Sequence, residues 1–136
     1  MKIVVDSYAW IEILSGTEKG RVASKIIDDA EELYTPDIVL AEIARKYRRE
    51  GIDRRIIEQR IDSIIETSSV ITVGREVALN SASAFLELME EAKKKGIREP
   101  SLFDAIILGA TRFVQGNVLT GDPHFRDLKE TVWLST

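Results

Sequence analysis

The chain has no cysteine, which removes disulfides, thiolate metal ligands and cysteine nucleophiles at once. Histidine occurs once, at His124, and proline three times. No apolar run approaches the roughly 20 residues that cross a bilayer. An acid already stands at position 6, too early for the apolar core of a secretory leader. A cytoplasmic protein is the expectation. Glycine-rich phosphate loops, a dinucleotide fingerprint and a nucleophile elbow are also missing, so nucleotide-cofactor enzymes and serine hydrolases are set aside.

What remains is 44% apolar and 31% charged over 136 residues, the composition of a globular protein. Residues 1–136 read as one domain. Short β-branched runs alternate with helical periodicity. Strands are expected at 2–5, 32–35, 69–73, 117–120 and 131–134, with helices between them. Such alternation implies an α/β fold: a parallel sheet with right-handed crossovers and helices on both faces. The helix over 76–94 is expected to turn Ala78, Ala82, Phe85, Leu86 and Met89 inward and to stop at Gly96 after three lysines. Two consecutive helices lie between the second and third strands. The second, opened by Asp53 as a cap, carries a wide stripe of Ile56, Ile57, Ile61, Ile64 and Ile65.

Four acids occupy the places where a strand has ended or a helix begins: Asp6, Glu42, Asp104 and Asp122. Asp6 and Asp122 follow the first and fourth strands, and Glu42 lies early in the helix after the second. In a parallel sheet those places share one edge, where open α/β sheets bind ligands. Like charges brought together need a cation, and all-oxygen ligation suits Mg²⁺ or Mn²⁺. Each acid also has a structural use. Asp6 can cap a helix, Asp122 can do so ahead of Pro123, and Asp104 stands at capping-box spacing from Ser101. Glu42 can pair with Lys46 at i,i+4. The convergence favours a metal-dependent enzyme cleaving phosphodiesters. A phosphoacceptor regulator would need an acid after the third strand, and a haloacid-dehalogenase-type phosphatase an aspartate at position 8, which is tyrosine.

Charge distribution supports the same chemistry despite a net −4. Between positions 45 and 60, seven basic residues stand against three acids. Arg45, Lys46, Arg48 and Arg49 are the expected nucleic-acid contacts of that stretch, with a solvated surface as its blander use. His124 is read as a phosphate contact or as a surface residue at a helix start.

With these residues in view, the chain resembles PIN-domain ribonucleases, and among them the VapC-type toxins of toxin–antitoxin pairs. The resemblance rests on Val-Val-Asp6-Ser7, on Glu42, on Phe-Asp104-Ala-Ile-Ile-Leu-Gly-Ala-Thr, and on Leu-Thr120-Gly-Asp122-Pro-His-Phe. It implies a three-layer α/β/α sandwich whose five parallel strands run in the order 3-2-1-4-5. It also implies an endoribonuclease dependent on Mg²⁺ or Mn²⁺. Asp6, Glu42, Asp104 and Asp122 then bind metal, and Ser7 and Thr120 serve as supporting hydroxyls. A cognate antitoxin is the implied protein partner. A homodimer is expected too, since the helix around Trp10, Ile11, Ile13 and Leu14 and the 53–65 helix carry more apolar positions than one core contact demands. Family members also act in RNA processing or decay, and a PIN-like module that binds without cutting is the alternative from another class.

Overall fold

Lys2–Val5 forms the central strand β1, and Ile3, Val4 and Val5 are each buried. A strand apolar on both sides is what a parallel sheet covered by helices requires. The computed structural model describes residues 1–134. After β1 come α1 (Ser7–Ser15), α2 (Glu18–Asp28), β2 (Glu32–Pro36), α3 (Asp37–Arg49) and α4 (Arg54–Thr67). Then follow β3 (Ser69–Ile71), α5 (Arg75–Lys95), α6 (Leu102–Phe113), β4 (Asn117–Thr120), a 3-10 turn (Pro123–Phe125) and β5 (Thr131–Trp133).

Every pairing is parallel and the strand order is β3-β2-β1-β4-β5, as the resemblance implied. Val4 of β1 sits opposite Tyr34 on one side and Val118 on the other. The chain winds outward from β1 to β2 and β3, then crosses back to β4 and β5. The direction of winding therefore reverses between β1 and β4, and the crevice at their carboxyl ends is the ligand position of such sheets. Asp6 follows β1 directly and Thr120 ends β4.

Side chains alternate across the sheet. Val4 clusters with Ile71, Val77 of α5 and Ala110 of α6. Ile3 and Val5 point the other way, into the larger core that holds Ala9, Trp10, Ala23 and Ile43. Trp10 is not spare surface: it is buried, and its indole N–H donates to Thr35 Oγ1 at 3.0 Å.

Two helix faces differ from expectation. In α5 the buried residues are Val77, Ser81, Ala84, Leu88 and Ala92, while Ala78 and Ala82 face out and Leu86 is 70% exposed. Large apolar residues suggested one stripe, but close packing selected the adjacent stripe of small ones. A Cβ built on Gly109 of α6 would lie 2.5 Å from Ser81 Oγ and 2.8 Å from Ser81 N, so the two helices approach backbone to backbone. In α4 only Ile57 and Ile64 are buried, and Ile56 and Ile65 are exposed, so the apolar stripe is narrower than its sequence. Asp53 holds the N-cap position of α4 without a side-chain capping bond.

Candidate functional site

Three of the four expected acids are helix caps in fact, and each caps with a single oxygen. Asp6 Oδ1 accepts from Ala9 N at 2.9 Å at the start of α1. Asp104 Oδ2 accepts from Ser101 N at 2.8 Å while Ser101 Oγ accepts from Asp104 N, a complete capping box at the start of α6. Asp122 Oδ1 accepts from His124 N at 2.9 Å and starts the 3-10 turn, with Pro123 in its first position. The caps aim the carboxylates at the carboxyl edge of the sheet. Capping leaves the second oxygen of each carboxylate outside the cap itself.

Glu42 behaves differently. It sits in the second turn of α3, and its Oε1 is buried with no hydrogen-bond partner among the described residues. The expected pairing with Lys46 does not form, because Lys46 Nζ binds Glu50 at 2.5 Å instead. An orphaned acceptor oxygen is costly, and more so when charged.

Electrostatics ties the four together. Burial, Asp6 being 2% exposed, pushes its carboxyl up from 3.8 to about 7. The Thr120 hydroxyl and Ala9 N–H pull it down, and the charges of Asp122 and Glu42 add to the rise. Glu42 is likewise raised from 4.5 to about 7, first by burial and then by the charge of Asp104, with Arg45 and the Ser7 hydroxyl opposing. Asp104 is raised by burial and by Asp122. Thr120, fully buried, accepts from Asp122 N at 2.9 Å, so its own proton is free for Asp6. No lysine or arginine among the described residues forms an ion pair with any of these four acids.

His124 is the member that sequence reasoning missed. It is nearly buried, not a surface residue, and one donor atom from each of Asp104, Asp122 and His124 falls within a 4.8 Å cluster. Its Nδ1 lies 3.0 Å from Asp122 Oδ1 and its Nε2 lies 2.8 Å from the Arg98 carbonyl. A carbonyl only accepts, so Nε2 carries a proton. Burial disfavours its charge, yet these hydrogen bonds and the charges of Asp122 and Asp104 outweigh that and raise its pKa. The usable signal was the spacing Asp122-Pro123-His124. A proline-started turn returns residue i+2 to the capping carboxylate.

The basic residues divide. Arg45 lies close enough to Glu42 to stabilise its charge. Arg45, Arg48 and Arg54 line a groove of ≈ 500 Å³ between α3 and α4, floored by Ala44, Ile57 and Ile61, beside the carboxylates and not over them. Arg49 is exposed at the end of α3, and Lys46 is engaged by Glu50.

The donor set is chiefly carboxylate oxygen, with an orphaned Glu42 oxygen and no lysine or arginine ion pair to these acids among the described residues. Those properties fit a hard divalent cation such as Mg²⁺ or Mn²⁺.

Comparison with known proteins bears on the same fold. A family model described as PIN domain matches residues 3–131. A toxin–antitoxin complex from Klebsiella pneumoniae superposes with a TM-score of 0.73 at 19% identity, covering 98% of each chain. VapBC2 from Rickettsia felis, bound to a DNA fragment from its promoter, gives 0.70 at 13% identity over 98% of this chain and 97% of that one. VapC20 from Mycobacterium tuberculosis, a toxin that cleaves the sarcin–ricin loop, gives 0.66 at 20% identity over 94% and 95%. Comparison with curated protein sequences gives no match.

Proposed function

The chain belongs to the PIN-domain family, and from that premise we propose that it is a cytoplasmic endoribonuclease dependent on Mg²⁺ or Mn²⁺, the toxin of a VapBC-type pair. The observation that carries the nuclease reading is the set of four mutually repelling carboxylates, Asp6, Glu42, Asp104 and Asp122, none of which forms an ion pair with a lysine or arginine among the described residues. The toxin assignment is supported by the toxin–antitoxin proteins whose fold this chain shares.

In this reading the four acids hold the metal. A bound divalent cation acidifies water for attack on phosphorus and offsets charge on the leaving oxygen. Asp6 and Glu42, whose carboxyls are raised to about 7, would have to be ionised to hold the cation. Ser7 and Thr120 orient Glu42 and Asp6, the latter while tethering the Asp122 backbone. His124 fixes the rotation of Asp122 through Nδ1 and is itself fixed by the Arg98 carbonyl. Arg45, Arg48 and Arg49, with Lys46 in a lesser part, receive RNA phosphates along α3. Attack by water leaves 5′-phosphate and 3′-hydroxyl ends, whereas attack by the RNA's own 2′-hydroxyl would leave a cyclic phosphate.

The deciding experiment follows a fluorescent single-stranded RNA with Mg²⁺, with Mn²⁺ and with EDTA, for the wild type and Asp6→Asn. Metal-dependent cleavage that Asp6→Asn abolishes is expected. Cleavage in EDTA, or a fully active Asp6→Asn protein, would overturn the reading. Growth arrest on expression, relieved by a co-expressed antitoxin, separates a toxin from a nuclease of RNA processing. The exposed Ile56 and Ile65 support a self-association surface, and light scattering on the eluting protein would read a dimer directly.

A further inference from the structure

Lys19 is a cation placed where its own helix does not favour one. It stands second in α2, behind the Thr17 cap, at the positive end of the helix dipole. No carboxylate among the described residues lies within ion-pair distance of it. Its ammonium instead donates to Tyr8 Oη at 2.7 Å and is half-buried. The ammonium is 5.4 Å from the Tyr8 ring centroid, so it lies out along the C–O bond and not over the ring face. A partly desolvated ammonium held on a neutral phenol has its charge unspent.

Tyr8 ties that charge to the acidic crevice. It occupies the second position of α1, two residues after Asp6. Its ring rests on Gly121, between Thr120 and Asp122. A Cβ at Gly121 would lie 2.6 Å from Tyr8 Cζ and 2.9 Å from Oη. The phenol therefore touches the same loop that presents Asp122, and Lys19 is one hydrogen bond further out. Arg45 reaches the crevice from α3, beside Glu42. The cluster of acids is thus bordered by Arg45 beside Glu42 and by the Tyr8–Lys19 pair beside Gly121.

We infer that Lys19, positioned by Tyr8, binds a backbone phosphate of single-stranded RNA next to the one that is cut, on the α1 side of the crevice. The inference rests on the nuclease reading and deepens it. Lys19 is a binding residue and Tyr8 a positioning residue. Neither need bear on the bond-breaking step, so the signature falls on KM and on salt dependence, not on kcat.

The test compares wild type, Lys19→Met, Lys19→Arg and Tyr8→Phe on a short single-stranded RNA. Cleavage is measured with Mg²⁺, and binding by fluorescence anisotropy with Ca²⁺ in place of Mg²⁺. Lys19→Met is expected to raise KM and the anisotropy Kd roughly three- to tenfold and to lower the salt slope by about one. Lys19→Arg should restore most of the affinity, and Tyr8→Phe should give an intermediate loss because the ring stays on Gly121 while the ammonium is released. Melting temperatures and Mg²⁺ titration serve as controls for fold and cation site. Wild-type KM, Kd and salt slope in Lys19→Met would overturn the inference while leaving the nuclease reading intact. Lys19-dependent binding by a wild type that cuts no RNA would sink the nuclease reading and keep the phosphate contact.

Discussion

Gly109 of α6 and Ser81 of α5 meet so closely that a single added methyl would fall 2.5 Å from the serine oxygen and 3.0 Å from the Val77 carbonyl behind it. The Val77 carbonyl and the Ser81 N, 2.8 Å away, are backbone atoms, which cannot swing away. Because Asp104 lies in the first turn of α6, this contact also sets where one of the carboxylates stands.

Gly109→Ala is therefore expected to destabilise the protein by about 1–3 kcal/mol, overpacking outweighing the roughly 1 kcal/mol that alanine gains in a helix. Urea denaturation reads the change. A variant as stable as wild type would mean that α5 and α6 can separate freely.

Asp6→Asn is expected to stabilise the metal-free protein at pH 8. The folded pKa of Asp6 lies near 7, above its ordinary 3.8, so the native state holds a proton that the unfolded chain has lost. That difference costs stability progressively as pH rises from about 4 to about 7 and stays constant beyond. Asparagine keeps the cap and sheds the charge. A gain on the order of 2–4 kcal/mol is expected at pH 8 and almost none at pH 4. An equal gain at both values, by thermal unfolding, would contradict a buried charge as its source.

If the proposed cation site includes Asp6 and Glu42, cations and protons compete there. Mg²⁺ or Mn²⁺ should raise the melting temperature strongly at pH 8 and weakly at pH 6, with about 2.7 kcal/mol gained at a hundredfold excess over Kd. Cleavage should climb over the same interval, through pH 7. A melting shift independent of pH would place the cation away from these two acids.

Along α3, Arg45→Gln and Arg48→Gln should each raise KM and lower the salt slope by about one. Lys46→Gln should do less, since Lys46 already spends its charge on Glu50 in an i,i+4 pair worth only about 0.3–0.5 kcal/mol. Equal effects at all three positions would show that the Lys46–Glu50 pair opens on the RNA.

The sheet was legible because β1 and β4 are short apolar runs followed directly by an acid or by Thr-Gly-Asp. The helix-start positions of Asp6, Asp104 and Asp122 were legible too, while Glu42 lies a turn deeper, in α3. Two things were not. The inward face of α5 is chosen by Ser81 and Ala84 against Gly109, and small residues give no hydropathy signal. His124 looked like surface because its burial depends on the Arg98 carbonyl, 26 residues away, which no local pattern encodes. The Tyr8–Lys19 pair is silent for the same reason, since it joins the starts of two helices.

That Asp6, Asp104 and Asp122 each hold a helix start with one oxygen constrains how this chain can change. At Asp6 and Asp122 asparagine keeps the cap and discards the anion, whereas at Asp104, third in its helix, glutamate would keep both the capping box and the charge. Under the proposed nuclease reading, a well-folded and inactive descendant is thus one substitution away at Asp6 or Asp122, whereas moving the carboxylates elsewhere would demand rebuilding the helix entrances they hold.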